Sequence, residues 1–421
     1  MNPRRPRPTS SFDPLRTRRA LLREGVYGAG LLAVGSFLSA CGDTTVAGSQ
    51  PRQSNIPNVG PLGAPDENGI RLPNGFRSRI LAASGEPVPG SGGYLWHGAP
   101  DGAATFLQRD GGWIYTVNSE IPNGDGGASA IRFDSDGNVV DAYRILSGTN
   151  FNCAGGPTPW GTWLSCEEDF SGHGAVFECD PTGATEAVRQ AAMGLFVHEA
   201  VTVDDLRGQL YMTEDMPDGG FYRFTPSSYP NLGSGTLEIA RVADLDAVHA
   251  GGVSSVAWLT VPDPLATDEF TRYQVEGSTG FLGGEGIWER NGHAFFATKF
   301  DNRVYHYDIE AQTICTLYSA ADDGGVLTGA DNVTIADLGG EVLVAEDGGD
   351  MQIIALVPGA DECDLNSIVP LLQVVGQDDS EVTAPVFDPS GTRLYFGSQR
   401  GFGGDFFASG ITYEVSGPFL V

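Results

Sequence analysis

Cys153 and the tandem pair Glu167-Glu168 stand out chemically. They flank a Gly/Pro-rich turn in Asn152-Cys153-Ala154-Gly155-Gly156-Pro157-Thr158-Pro159-Trp160-Gly161-Thr162-Trp163-Leu164-Ser165-Cys166-Glu167-Glu168. Such a turn lets backbone approach a ligand closely. A soft sulfur donor beside hard oxygen donors suits a site that mixes a transition metal with calcium. The same residues also fit a buried thiol and a solvated Glu pair on a β-turn.

The elements that must position these residues recur along the chain. Short β-rich runs stand at Trp113–Val117, Trp163–Cys166, Leu210–Thr213, Ala294–Thr298, Val342–Ala345 and Leu394–Gly397. Each is apolar or alternating and is bounded by turn residues, as a strand requires. The period of 46 to 52 residues, with four strands per repeat, predicts an all-β fold, a six-bladed β-propeller with a central channel. A pair of β-sandwiches would not explain the even period. The stretch from about Asn231 to Phe270 lengthens one interval and reads as an insertion or lid.

In a propeller, equivalent positions of successive blades face one axis. The strand ends carry Asn118, Glu167, Glu214, Lys299, Glu346 and Ser398-Gln399. The turns leading in carry Asp101, Cys153, Glu199, Glu285, Asp331-Asn332 and Glu381. Clustered carboxylates without counter-ions repel, and calcium takes six to eight oxygen ligands. The candidate metal ligands are Cys153, Asn118, Glu167, Glu168, Glu199, Glu214, Glu285, Asp331, Glu346 and Glu381. One member of each tandem pair should point away, which leaves Glu168, Asp215 and Asp347 open. His198, beside Glu199, could be a ligand or an acid/base, or a hydrogen-bonding group behind the ligands, the commoner role for a lone His near a polar channel. Lys299 and Arg400 are the candidate catalytic residues because they could hold an anionic substrate; Arg303 is a third cation.

The N-terminus predicts a destination. Thr17-Arg18-Arg19-Ala20-Leu21-Leu22-Arg23 reads as a twin-arginine export signal, followed by an apolar stretch from Gly28 to Ala40. Leu38-Ser39-Ala40-Cys41-Gly42 looks like a lipobox, with Cys41 lipidated. The expected organisation is a signal over 1–41, a flexible tether over 42–70 and a propeller over 71–421. The protein is expected to be anchored at the cell envelope through Cys41 alone, and monomeric. A net charge of −30 argues against nucleic acid as a partner and favours bound cations.

Without Cys41, five cysteines remain, an odd number for an oxidising compartment. Cys166 and Cys179 lie on neighbouring strands, and Cys315 and Cys363 near the ends of successive repeats. Two such disulfides would leave Cys153 free.

The run from Asn152 to Glu168 strongly resembles the signature of the bacterial PhoX-type alkaline phosphatases. His198-Glu199-Ala200, Thr213-Glu214-Asp215 and Glu285-Gly286 resemble further segments of that family. The resemblance implies a six-bladed propeller whose mouth holds two ferric and three calcium ions with a bridging oxo group. It implies phosphomonoester hydrolysis, so the substrate is a small phosphorylated molecule and the cofactors are Ca2+ and Fe3+. It makes Cys153 an iron ligand, and Glu167 or Glu168, Glu199, Glu214, Glu285 and Glu346 ligands of the metals. This chain is shorter than the best-known phosphatases of the family. The family's counterpart of Glu285 usually follows Arg-Pro, whereas here it follows Gly283-Gly284. Lys299 and Arg400 are then the cations that could hold phosphate. A calcium-dependent propeller lactonase or esterase, and a non-catalytic metal-stabilised surface lipoprotein, are the competing readings.

Overall fold

Turn chemistry cuts this chain into short strands. At Asp134, for example, the carboxylate accepts the N–H groups of Asp136 and Asn138 and closes a hairpin. The computed structural model describes residues 52–421, apart from 338, 361–362 and 404–405. The signal segment and Cys41 lie outside the described residues.

The fold is all-β and propeller-like. One four-stranded antiparallel sheet runs Pro100–Leu107, Trp113–Ser119, Gly126–Phe133, Val139–Thr149. The next runs Asn152–Pro157, Trp163–Glu167, Val176–Cys179, Val188–Arg189. A nine-stranded sheet contains two meanders. The first is His198–Asp204, Gln209–Glu214, Phe221–Ser228, Asn231–Val242; the second is Gly284–Arg290, His293–Thr298, Arg303–Asp308, Thr313–Ser319. Ser254–Thr260 bridges their outer strands. Ala330–Ile335, Val342–Glu346, Gln352–Pro358 and Leu365–Val374 form the following sheet, with Ile70–Arg71 on its edge. The last sheet, Val382–Phe387, Arg393–Ser398, Ile411–Ser416, takes its outer strand, Arg77–Ala83, from the other end of the chain.

The first strands of these meanders touch one another in order, and Val382–Phe387 touches Pro100–Leu107. Aromatic layers fill the space between sheets. Phe221 stacks on Phe296 at 4.7 Å, and Phe296 on Tyr305 at 5.1 Å. Burying each such ring contributes about 1.5–3 kcal/mol. Glycine permits the close approach at the axis. A Cβ on Gly102 would strike the backbone of Ala154, and one on Gly286 that of Val333. The axis below the mouth is consequently almost filled, with a residual cavity of about 20 Å³ lined by Gly102, Ala154, Ala200, Gly286, Val333 and Ala384. The central channel that the sequence predicts is lined by small residues at this depth.

Three expectations need adjustment. Residues 52–70, expected as tether, are packed: Asn55 N–H donates to Phe419 O at 2.7 Å, and Ile56 is buried beside Leu343 and Phe419. Asn231–Val242 is a regular outer strand, so the additional chain begins after it. Cys315 and Cys363 form a disulfide, but Cys166 and Cys179 are both free. Cys166 lies opposite Val176 and Cys179 opposite Trp163, at two ends of one strand pair, too far apart in register to bond.

Candidate metal centre

One backbone rule builds the mouth. In every meander, the residue just after the second strand donates its N–H to the carbonyl of the residue just before the first. The pairs are Glu120 to Ala99, Glu168 to Phe151, Asp215 to Val197, Lys299 to Gly283, Asp347 to Gly329 and Gln399 to Glu381, at 2.8–3.3 Å. All six first strands then bulge; in five of them the interruption falls one residue in and aims one side chain at the axis: Asp101, Cys153, Glu199, Glu285 and Asp331. Ala99 and Phe151 hold left-handed backbone at φ 44° and 45°, a strained conformation that the closing hydrogen bonds maintain.

Two tiers result. The bulge tier is Asp101, Cys153, Glu199, Glu285 and Asp331; the equivalent position of the last meander is Thr383, which stays paired with Gly397 ahead of its bulge. The strand-end tier is Glu120, Glu168, Asp215, Lys299, Asp347 and Gln399. Glu381 enters from two residues before Thr383, so it is not the repeat equivalent of Asp331 that the spacing implied. The potential ligand atoms form four overlapping groups, within each of which they lie inside 4.8 Å of one another. The groups are Asp101–Glu120–Cys153, Cys153–Glu168–Glu199, Glu199–Glu285–Asp331 and Asp331–Asp347–Glu381.

Of the sequence-predicted ligands, the structure brings together Cys153, Glu168, Glu199, Glu285, Asp331 and Glu381. It does not bring Glu167, Glu214, Glu346 or Asn118 to the cluster. Consecutive residues of a strand face opposite ways, and the first member of each tandem pair turns outward to hold a loop. Glu167 accepts the N–H of Asn150 at 2.9 Å. Glu214 accepts Gly220 N–H and Tyr222 O–H and pairs with buried Arg272 at 2.9 Å. Glu346 accepts the N–H groups of Thr328 and Gln352. Asn118 grips the bulge instead of a ligand. It donates to the carbonyls of Cys153 and Ala154 and accepts from Trp163 Nε1 and Ser165 Oγ.

Asp101, Glu120, Asp215 and Asp347 complete the cluster. Glu120 was missed because it follows Ser119 in place of a tandem acid. The signal that finds it is its position one residue past a strand end. His198 lies behind the mouth: its ring stacks on Phe196, Nε2 bonds Gly194 O at 3.0 Å, and burial holds its pKa down at about 3.

Burial raises the Cys153 thiol well above its ordinary pKa, and the charges of Asp101, Glu199, Glu168 and Glu120 add to this. Burial also raises Asp101, Glu168, Glu199, Glu285 and Glu381. It brings Glu120 to about 8, helped by Asp101, and Asp331 to about 7 against the pull of Lys299. Lys299 Nζ lies 3.4, 3.2 and 3.0 Å from Glu285, Asp331 and Asp347. Burial alone would depress the lysine, but these carboxylates together hold it above its usual value. Arg400 lies 3.5 Å from Glu381 and 3.9 Å from Asp347, with its guanidinium over Phe406. Arg303 pairs with Asp301.

Asp101 Oδ1, Glu168 Oε1 and both carboxylate oxygens of Glu199 are buried without a hydrogen-bond partner among the described residues. Buried anionic oxygens left unpartnered beside a thiol fit cations. This is an all-β, propeller-like protein with a metal-fitting acidic mouth. Residues 118–312 match the family described as Alkaline phosphatase PhoX. Among solved structures, the fold resembles Pseudomonas fluorescens PhoX in complex with vanadate, a transition-state analogue. The TM-score is 0.68 at 16% identity, over 85% of this chain and 97% of that one. A Bacteroides thetaiotaomicron structural-genomics protein of unknown function aligns over 81% and 76% at 11% identity, with a TM-score of 0.49. A Xanthomonas campestris gluconolactonase aligns over 86% and 98% at 14% identity, with a TM-score of 0.41. No curated protein matches by sequence.

Proposed function

We propose that this protein is a metal-dependent phosphomonoesterase on a six-bladed propeller, active at alkaline pH on small phosphorylated substrates. The match of residues 118–312 to the family described as Alkaline phosphatase PhoX supports a phosphatase-type hydrolase. The observation that carries the metal dependence is the group of unpartnered buried oxygens on Asp101, Glu168 and Glu199 around Cys153. Cys153 would hold iron as its thiolate, having given its proton to solvent. Glu168, Glu199, Glu285, Asp331 and Glu381, with Asp101, Glu120, Asp215 and Asp347, would hold calcium and complete the iron site. Bound calcium and iron would supply Lewis acidity toward phosphate oxygens and the oxygen nucleophile that the family resemblance implies.

The chain's own cations take the remaining charge. Lys299 and Arg400 stand on one side of the mouth and can orient two phosphate oxygens. In the place where the family has Arg-Pro, Gly283 is left-handed at φ 72°. A Cβ there would crowd the Phe300 ring, and the left-handed backbone disfavours any side chain but glycine's, while Lys299 stands beside it. Elemental analysis together with p-nitrophenyl phosphate turnover at alkaline pH tests the reading. Iron and calcium with turnover are expected. Calcium alone, with turnover of a lactone but not of the phosphoester, would overturn it. Cys153→Ala should lose iron and its colour while keeping calcium.

We further propose twin-arginine export, a lipid anchor on Cys41 and a monomeric state. Incorporation of labelled palmitate that disappears in Cys41→Ala tests the anchor, and sedimentation of the detergent-free form lacking residues 1–41 tests the state.

A further inference from the structure

A second set of nitrogen and sulfur donors lies away from the mouth. His306 stands on Arg303–Asp308, Cys315 on the adjacent Thr313–Ser319, and Cys363 just before Leu365–Val374. His306 Nδ1 is 3.6 Å from Cys315 Sγ, and the donor atoms of His306, Cys315 and Cys363 all lie within 4.8 Å of one another. The other ring nitrogen, His306 Nε2, is 2.9 Å from His293 Nδ1. Phe295 stacks on the His306 ring at 4.9 Å and fixes its plane. His306 and Cys315 are buried.

We propose that Cys315, Cys363 and His306 form a redox-gated site for a soft divalent cation of the zinc class, closed while the disulfide is intact. A dithiol reductant opens it. Its two thiols become a disulfide, the Cys315–Cys363 bond breaks, and two protein thiols form. Binding of one cation then releases both thiol protons to solvent. Two thiolates against a dipositive ion leave the site neutral, which suits its burial.

The geometry meets the needs of such an ion. Bonds of about 2.3 Å to sulfur and about 2.0 Å to nitrogen in a tetrahedron place N and S about 3.6 Å apart, the separation seen between His306 Nδ1 and Cys315 Sγ. Ligation through Nδ1 leaves the proton on Nε2, where His293 Nδ1 accepts it. This is the arrangement that orients a metal-bound imidazole and raises its basicity. Three protein donors leave a fourth position for water. Sulfur and imidazole donors select zinc, cobalt or copper over calcium, so this site and the acidic mouth would not compete for the same ion.

The test uses the full chain with calcium present, titrated with cobalt(II) before and after reduction by a dithiol. A thiolate-to-cobalt absorption band that appears only after reduction, at one equivalent and displaced by zinc, is expected. His306→Ala should weaken that binding by more than about 100-fold, and His293→Ala by about 10-fold, the usual effect of removing a partner behind a ligand. Absence of a reduction-dependent band overturns the proposal, as does an unchanged band in His306→Ala. Loss of the β-sheet circular dichroism on reduction overturns it too, since the donors then share no frame.

Discussion

The two halves of the acidic mouth solve the same electrostatic problem differently. On one side Asp101, Glu120, Cys153, Glu168 and Glu199 face each other; the amide of Gln399 donates to Asp101 and Glu120, at 2.7 and 2.6 Å, and the Cys153 thiol donates to Asp101 at 3.5 Å. On the other side Glu285, Asp331, Asp347 and Glu381 surround Lys299 and Arg400. Asp347 shows the consequence. Burial raises it, yet Lys299 and Arg400 together hold it below its ordinary value. Glu199, fully buried where Asp347 is only partly so and without such a neighbour, is pushed well up by burial and by Glu285, Glu168 and Asp331. The Cys153 half therefore needs external cations for its charge, whereas in the Lys299 half two resident cations already offset part of the charge of four carboxylates.

The largest effect is expected from Glu199→Gln, which removes a carboxylate shared by two ligand groups. Bound metal and phosphoester turnover should both fall by at least about 100-fold, the upper cost of losing even a partner behind a ligand. Normal metal content in this variant would break the division between the halves. Lys299→Met sharpens it from the other side. Metal content should stay near normal while kcat/KM falls about 100-fold, as when one preorganised donor is removed. Loss of metal there would mean that Lys299 organises the ligands and does not serve the substrate.

Stability against pH reports buried carboxylates of both halves without turnover. Glu120 and Asp331 have folded-state pKa values of about 8 and about 7, above the unfolded value of about 4.3 for a carboxyl. The folded metal-free protein thus binds more protons than the unfolded chain between those limits, and its stability falls as pH rises from about 4.5 to about 8. The Tm of chelated protein should decline over that window, and saturating calcium should flatten the decline. A Tm of chelated protein that rises across the window would contradict the burial of these groups. The smallest effect should come from Asn118→Ala. It frees the bulge that carries Cys153 and should weaken metal binding by about 10-fold with little loss of fold. An unchanged affinity would show that Trp163 and Ser165 hold the bulge without it.

Much of the candidate site was legible because it repeats. Cys153 and Glu199, and again Glu285 and Asp331, stand 46 residues apart, with the additional chain lengthening the interval between Glu199 and Glu285, and the apolar runs before each strand end mark where a side chain reaches the axis. The tandem pairs were not legible in the same way. Glu167-Glu168, Glu214-Asp215 and Glu346-Asp347 each offer two acids, and spacing alone does not say which one faces inward. The choice depends on where the strand ends. It also depends on outside donors such as Arg272 for Glu214, which arrives from the additional chain after Val242. Glu120 carried no tandem partner to draw notice, and Glu381 mimicked a repeat position while entering from two residues earlier.

By itself the sequence determined the all-β class, the periodic strand–turn pattern, the acidic mouth with Cys153 in it, and the resemblance that the match over residues 118–312 bears out. These are properties of local hydrophobic alternation, turn chemistry and motif, which act over a few residues. The tertiary structure alone decided which acids meet, how Lys299 and Arg400 divide the mouth into two halves, and that Cys166 and Cys179 stay apart while Cys315 meets Cys363. Those outcomes depend on register and closure between strands distant in the chain, where a shift of one residue turns a side chain from the axis to the outside.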